Sequence, residues 1–400
     1  MRIALNIDHY YPSKGGAEAY LQRLIDRLTA DGHQVTIVAR DFEKGLDGPA
    51  KQERVPCPSW PRLLREMVFA RRSERLLRTS RADVVFGIRH LRYGHLYQPH
   101  GGVHAAAIDA LIRAGSPAPW VQALRRLGKT LSPKQIFFRH LERRLVRGKE
   151  RPLIAALSER VRQDFAHYHA IPPHEIALLP NAIDTEHFRP GPDRRVDRIR
   201  LRARHDLPET GLLLLFVGHH FRLKGLGELI EALPTMVAAG LDPWVLVVGR
   251  GRERAYRERT RQLDVEERVR FAGFVRRVES YYHGADVLVH PTWYDPCSTV
   301  VLEALACGLP VVTTALNGAA ELMRSGEHGF VVNDPQDRSG LVEALRELAH
   351  EETRERFSAA AAIHARRFDF EAHYDGFLEL LELARSMRPE TSRAPTGRRA

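Results

Sequence analysis

Two acids, Asp295 and Glu303, share one otherwise apolar run between His290 and Thr314. Pro296 sets a turn after Asp295, and Ser298 or Thr299 can cap the helix that follows. Glu303 then falls about one turn into that helix, among Val301, Leu302, Ala304 and Leu305. A carboxylate in so apolar a setting needs a hydrogen-bonding partner; sugar hydroxyls would supply one, and so would a helix cap or an ion pair. A second group of candidates lies in Val217-Gly218-His219-His220-Phe221-Arg222-Leu223-Lys224-Gly225, where Arg222 and Lys224 flank a helix start. A helix N-terminus already favours anions, so surplus cations there fit a multiply charged ligand such as a diphosphate; a solvated basic turn fits this segment equally. Gly15 and Gly16 let backbone N–H groups and the following helix approach an anion closely, although a tight turn needs the same pair. His100, in Gln98-Pro99-His100-Gly101-Gly102, offers a ring that can serve a reaction or simply pack. No Asp-x-Asp and no His/Asp cluster stands ready for a metal. Charge on a leaving diphosphate is therefore expected to meet fixed cations and helix N-termini.

Such residues need a scaffold that gathers them, and the chain alternates strand-like and helix-like segments from end to end. Arg2–Ile7 is a short apolar run, the Ser13-Lys14-Gly15-Gly16 turn follows, and Leu21, Leu24, Ile25 and Leu28 then recur at helical spacing. Gly32-His33 closes that helix before the β-branched run Val35–Val38, which makes a parallel βαβ start. Asp83–Phe86, His95–Gln98, Leu153–Leu157 and Ile176–Leu179 read as later strands, and 105–148 as basic amphipathic helices. After a charged, Pro-punctuated link from Arg189 to Arg198, a second series contains Leu212–Val217, Trp244–Val248 with Gly249 behind it, Val269–Phe271, Val287–Val289 and Val311–Thr314. Runs apolar throughout fit a parallel sheet covered on both faces. The expected fold is α/β, with two Rossmann-like doubly wound parallel-sheet domains, 1–190 and 191–368. A C-terminal helix over 369–388 presents Phe370, Tyr374, Phe377, Leu378 and Leu381 on one face, and the polar tail 389–400 is expected to be disordered. In open parallel sheets ligands bind off the carboxyl ends of the strands, where the candidate residues above all fall.

The layout Asp295-x7-Glu303-Ala304-x3-Gly308-x-Pro310-Val311-Val312 resembles the Glu-x7-Glu signature of retaining glycosyltransferases of family 4. Pro12…Gly15-Gly16-x-Glu18 with Gly32-His33-x-Val35 is similar to that family's opening unit. Pro180-Asn181-Ala182-Ile183-Asp184 resembles its link region, and Phe271-x-Gly273-Phe274-Val275 the segment that holds the nucleotide base. Within the family the chain looks closest to lipopolysaccharide core glucosyltransferases. The resemblance implies the GT-B fold, two domains facing across a cleft. It also implies retaining transfer of a hexose, glucose, from a nucleotide sugar such as UDP-glucose to a glycan or lipid-linked acceptor. By the same resemblance, Glu303 would bond the donor ribose, Asp295 would hold donor-sugar hydroxyls, and Lys224, helped by Arg222, would neutralise the diphosphate. Phe274 and Val275 would lie near the base, Gly16 would make room for diphosphate and sugar, and His100 matches an active-site His. Gly15, His219, Gly249, Cys297, Ser298, Thr299 and Val300 join the expected donor-binding set. The chain departs from the family at two points: Asp295 stands where Glu is usual, and His219 stands where an Arg is usual, five residues before Lys224, with Arg222 as the cation available to take over its charge. The resemblance implies no cofactor and no metal.

Composition bounds the remaining readings. The chain of 400 residues is long enough for two domains, its apolar fraction of 44% is that of a globular protein, and three scattered cysteines make neither a disulfide framework nor a zinc site. No apolar run approaches a membrane span and no signal-peptide layout precedes Arg2, so a cytoplasmic protein is expected. The net charge of +11 is uneven: residues 51–150 hold 21 Lys and Arg against 7 Asp and Glu. Arg62, Arg65, Arg71, Arg72, Arg75 and Arg78 recur at helical spacing amid Leu63, Leu64, Met67, Val68 and Phe69. Such a surface suits an anionic membrane at the inner face; a solvated Arg-rich surface accounts for the same numbers. Two rival readings stay open: a nucleotide-sugar 2-epimerase on the same fold, and a non-enzymatic nucleic-acid-binding protein. The second lacks a recognition helix or aromatic RNA-binding motif, and nucleic acid is not an expected partner.

Overall fold

Runs such as Leu212–Val217, buried at every position, are hidden only in a sheet covered on both faces, and the chain builds two such sheets. A computed structural model describes residues 1–387 apart from 15, 47, 90, 116 and 117. Gly15 and the tail 389–400 therefore lie outside the described residues. The chain divides into two units: Met1–Ile108, Ala123–Leu179 and the chain from Tyr374 onward form one, Asp109–Gln122 and Pro180–His373 the other.

In the first unit the strands are β1 (Arg2–Asn6), β2 (His9–Tyr10), β3 (Gln34–Ala39), β4 (Asp41–Phe42), β5 (Lys51–Arg54), β6 (Val84–Gly87), β7 (Leu96–Tyr97), β8 (Leu153–Ala156) and β9 (Ala177–Leu178). They form a seven-stranded sheet in the order β5-β3-β1-β6-β7-β8-β9, with β2 and β4 paired apart. All these pairings are parallel, Ile3 lying opposite Val35 on one side and Val84 on the other. Leu21, Leu24, Ile25 and Leu28 of the Ala17–Ala30 helix supply its buried face, as their spacing requires.

The second unit contains β10 (Leu212–Val217), β11 (Pro243–Val248), β12 (Val269–Gly273), β13 (Val287–His290), β14 (Val311–Thr314) and β15 (Gly329–Val332). Their order, β12-β11-β10-β13-β14-β15, is the doubly wound order 3-2-1-4-5-6 when counted from β10, and its switch point falls between β10 and β13. Leu214 faces Val245 and Val287 across the sheet. Leu226, Leu229, Ile230, Leu233 and Met236 of the Leu226–Ala238 helix join Leu214, Phe216 and Val247 in the core. The Arg189–Arg198 stretch, read from sequence as a link, carries a helix over Arg194–Arg204 capped by the Asp193 carboxylate. Arg198 and Arg202 from that helix pair with buried Asp286, which also accepts the Leu213 amide at 2.7 Å. Two of its arginines are spent on one interior carboxylate, which fastens the helix to the second unit.

The C-terminal helix, Phe370–Ser386, buries Tyr374, Phe377, Leu381 and Ala384. Within the first unit Tyr374 donates to Asp31 at 2.7 Å, and the Phe377 ring meets Phe86 edge-on with centroids 5.0 Å apart. Phe377→Ala should lower the stability of the first unit by about 3–5 kcal/mol through the cavity it leaves. Urea unfolding measures this, and an unchanged midpoint would show that the helix does not support the β6 core.

Candidate functional site

The site of the second unit is built from loops that leave the carboxyl ends of adjacent strands. After β10 the chain turns through 218–224 and enters the Leu226–Ala238 helix at Gly225, whose φ of 79° is left-handed. A Cβ at Gly225 would fall 1.8 Å from the Pro291 carbonyl oxygen. Only glycine lets this turn press against the loop that follows β13. That contact is reinforced by Trp293 N–H and Thr292 Oγ1, which both donate to the Leu223 carbonyl at 2.8 and 3.0 Å. Trp293 Nε1 donates to Glu228 at 2.8 Å, and burial raises the pKa of this carboxyl against that hydrogen bond.

Joined in this way, the two loops bring Lys224 and Asp295 into an ion pair. Asp295 is buried, and His290 Nε2 lies 3.7 Å from its Oδ2. Burial opposes ionisation of Asp295, but the Lys224 charge and His290 outweigh it and hold the carboxyl well below the usual range. His290, fully enclosed at the end of β13, is pushed down by burial, so its ring is kept neutral beside the pair. The backbone of Asp295 is fixed by the loop after β14: its N–H donates to Leu316 and its carbonyl accepts from Gly318 at 2.8 Å.

Ser298 occupies the N-cap position of the Thr299–Ala306 helix, but its hydroxyl does not cap it; Ser298 Oγ lies 3.4 Å from His290 Nε2. The expected cap is thus diverted to the buried His, which leaves the first-turn amides without a side-chain acceptor, an arrangement suited to an anionic ligand. Asn317 accepts the Ser298 amide, and Asn181 Nδ2 donates to the Cys297 carbonyl at 2.6 Å. Burial pushes the Cys297 thiol up to about 12, which makes it a structural, unreactive group. Thr299 and Val300 are half-buried at the helix start. One turn further, half-buried Glu303 accepts from the Tyr282 hydroxyl at 2.6 Å. Burial raises Glu303 to about 7, with Glu279 adding to the rise and the Tyr282 hydrogen bond opposing it.

The other expected residues are placed within their own units. His219 is exposed; its Nδ1 accepts the Arg250 amide at 3.2 Å, and its ring stacks with Phe274, centroids 6.4 Å apart. Gly249 ends β11. Phe274 is exposed after β12, and Val275 lines a cavity of about 600 Å³ with Arg204, Arg276, Arg277 and Tyr281. Arg222 is not drawn to the Lys224–Asp295 pair: it is exposed, its guanidinium donates to the Leu111 carbonyl at 2.7 Å, and its charge bears on Glu228. In the first unit, Gly16 precedes the Ala17–Ala30 helix with φ 63°. His100 follows β7, its Nε2 3.0 Å from Gln98 Oε1 and its ring 5.1 Å from that of Tyr20. In the same unit, buried Glu18 accepts from Arg89 at 2.7 Å, and Asp8 pairs with His9 at 2.8 Å. Sequence reasoning passed over His290, Tyr282, Arg250 and Asn317. A histidine closing the apolar strand Val287–Val289 was the one signal available for any of them. Among the described residues no group of three or more His, Cys, Asp and Glu side chains could hold a metal.

Comparison with known proteins places this geometry among sugar-transferring enzymes. Residues 14–187 match a family model described as Glycosyltransferase Family 4, and residues 197–364 one described as Glycosyl transferases group 1. The lipopolysaccharide glucosyltransferase WaaG of Escherichia coli is 27% identical over 86% of this chain and 89% of its own length. The D-inositol 3-phosphate glycosyltransferase of Thermomonospora curvata is 32% identical over 60% of the chain, a match that spans 58% of that relative. A crystal structure of WaaG superposes with a TM-score of 0.79 at 23% identity, covering 95% of this chain and 99% of that one. Anabaena HepE in complex with UDP-glucose superposes with a TM-score of 0.67 at 19% identity, covering 96% and 100%.

A carboxyl raised to about 7 binds more protons folded than unfolded between pH 4.5 and 7, so Glu303 weakens the fold progressively as pH rises through that window. Glu303→Gln keeps an acceptor for Tyr282 and cannot ionise. Its stability relative to wild type should therefore increase from pH 4.5 to 7 and level off above, as read from paired thermal melts. A gap that does not vary with pH would show that Glu303 has ordinary acidity.

Proposed function

Because the chain belongs to family 4 of the glycosyltransferases, with the GT-B fold, we propose that it moves glucose from a nucleotide diphosphate sugar, UDP-glucose, to a glycan or lipid-linked acceptor such as lipopolysaccharide core, with retention at the anomeric carbon. The observation that carries this reading is the Lys224–Asp295 pair beside the uncapped Thr299–Ala306 helix, one turn from Glu303. The relation to a lipopolysaccharide glucosyltransferase over most of both chains supports the sugar and the acceptor class.

In this scheme the ribose hydroxyls donate to Glu303, and the first-turn amides with Lys224 receive the diphosphate. In the free protein Lys224 is balanced by Asp295, so its charge is already positioned and its partner does not have to move far to take donor-sugar hydroxyls instead. The acceptor hydroxyl oxygen bonds to the anomeric carbon on the face the leaving group vacates. The carbon–oxygen bond to the diphosphate breaks, and the diphosphate takes the acceptor proton. Negative charge on the departing phosphate grows through this step, which is where a fixed ammonium acts most. Side-chain cations and helix amides carry the charge, and no metal is required.

The chain is proposed to work in the cytoplasm at an anionic membrane. Among the described residues no helix is long and apolar enough to cross a bilayer, so association would be peripheral. The Arg62–Thr79 helix gives Phe69 and Leu77 to the core and leaves Leu64 exposed. The Pro119–Leu131 helix buries none of its residues: Trp120, Leu124, Leu127 and Leu131 are 57–69% exposed at helical spacing, with Arg125, Arg126 and Lys129 alongside. An exposed apolar stripe flanked by cations and carrying no acid has the chemistry of a helix that lies in an anionic bilayer surface.

Incubation with radiolabelled nucleotide sugars and a lipopolysaccharide-core acceptor should give transferred sugar in excess EDTA. Lys224→Ala should lower kcat by about 10²–10³, with a smaller effect on donor KM. Sugar interconversion without transfer would favour an epimerase, and a pure KM effect would remove Lys224 from the transition state. For the surface, sedimentation should bring the protein down with anionic vesicles at low salt, and Leu124→Asp with Leu127→Asp should abolish this. Indifference to anionic vesicles at low ionic strength would leave only the sugar-transfer half of the reading.

A further inference from the structure

The turn after β10 lacks a second cation at the place where the resemblance leads one to look. His219 accepts the Arg250 amide at Nδ1, so its ring proton sits on Nε2; this neutral tautomer offers one hydrogen bond and no charge. Arg222 gives its guanidinium to a carbonyl. A neighbouring loop, Gly249-Arg250-Gly251, closes in on this turn from both ends. A Cβ at Gly249, where φ is 135°, would fall 1.9 Å from the Gly218 carbonyl oxygen, and one at Gly251 would fall 2.3 Å from the Phe221 ring. Gly218 in turn backs onto Lys224, whose Cγ would lie 3.4 Å from a Cβ there. The backbone of Arg250 is therefore held against the same short segment that presents Lys224.

The Arg250 side chain is exposed, and its guanidinium carbon lies 4.5 Å over the Phe274 ring, the ring that His219 also stacks upon. An aromatic face orients a guanidinium without neutralising it, whereas a carboxylate partner would do both. We infer that Arg250 is the second cation of the donor site, receiving the diphosphate of a nucleoside diphosphate together with Lys224, the role that sequence spacing assigned to Arg222. This rests on the sugar-transfer reading above and adds to it the residue that recognises the pyrophosphate group. A planar guanidinium binds two phosphate oxygens at once, which an ammonium does not. Arg250 and Lys224 thus divide the task, the first fixing the geometry and the second supplying a compact point charge. The arrangement also gives His219 a function: it pins the Arg250 amide, and with it the loop.

Isothermal titration of the full chain with UDP, ADP and GDP, then with the monophosphate of whichever binds tightest, tests the assignment. Arg250→Ala should weaken the diphosphate by about tenfold or more and the monophosphate by much less. Arg250→Lys should recover part of the loss, and Arg254→Ala, an exposed arginine one turn away on the Glu253–Gln262 helix, should stay within about twofold of wild type. A melting temperature like that of wild type shows that the variants fold. Unchanged diphosphate affinity in Arg250→Ala, an equal loss in Arg254→Ala, or equal losses for diphosphate and monophosphate would each overturn the inference while leaving sugar transfer intact. A wild-type protein that binds none of the three diphosphates would overturn the sugar-transfer reading and this inference with it.

Discussion

Lys224 and Asp295 reach each other from the ends of β10 and β13, the two strands that flank the switch point of the second sheet, and neither charge is tolerable there without the other. Removing Lys224 would leave the buried Asp295 carboxylate uncompensated, at a cost in stability. The surrounding structure is arranged around that condition. Gly225 exists so that the Lys224 turn can touch the Pro291 carbonyl, and Trp293 and Thr292 both converge on the Leu223 carbonyl to hold the loops at one separation. Asn317 and the Leu316–Gly318 backbone then fix Asp295 from the next strand over. A site that must hold a diphosphate sugar needs a cation already in position, and an internal counter-ion keeps it there until the ligand arrives.

The two acids that look alike in sequence are placed in opposite electrostatic conditions. Asp295 has an ammonium and an imidazole beside it and stays ionised. Glu303 has a tyrosine hydroxyl and a second carboxylate nearby, and burial raises it to about 7. One is suited to remain an anion throughout a reaction and the other to exchange hydrogen bonds with hydroxyl groups near neutral pH. The difference comes from the neighbours supplied by β10 on one side and by the Tyr282 helix turn on the other, not from the acids themselves.

Charge at the surface follows a similar division. The basic excess of residues 51–150 is not one patch with one purpose. Arg78 pairs with Glu74, Arg92 with Glu74, and the Arg62–Thr79 helix encloses Phe69 and Leu77 while Leu64 stays exposed. The Pro119–Leu131 helix keeps Arg126, Lys129 and its large apolar residues on the outside, with Arg125 half-buried. Only the second combination resembles a membrane-surface element, because adsorption needs apolar area as well as charge.

Much of this was legible in the sequence, and for a local reason. Apolar runs marked β10, β11, β13 and β14, because a strand buried on both faces writes its burial into consecutive residues. The Asp295–Glu303 spacing followed from one loop and one helical turn, and the C-terminal helix from its own periodicity. Strand β5, Lys51-Gln52-Glu53-Arg54, escaped notice because an exposed edge strand carries no apolar alternation, and β15, Gly329-Phe330-Val331-Val332, was passed over as well. What only the tertiary structure decided was which side chains meet across neighbouring strands. Ser298 turned from its cap to His290, Asp286 gathered two arginines from the supposed link, and the Gly249–Gly251 loop came to press on the turn that carries Lys224. The last two depend on lateral strand order, and strands adjacent in a doubly wound sheet are separated in the chain by whole helices, so no spacing along the sequence encodes their contact.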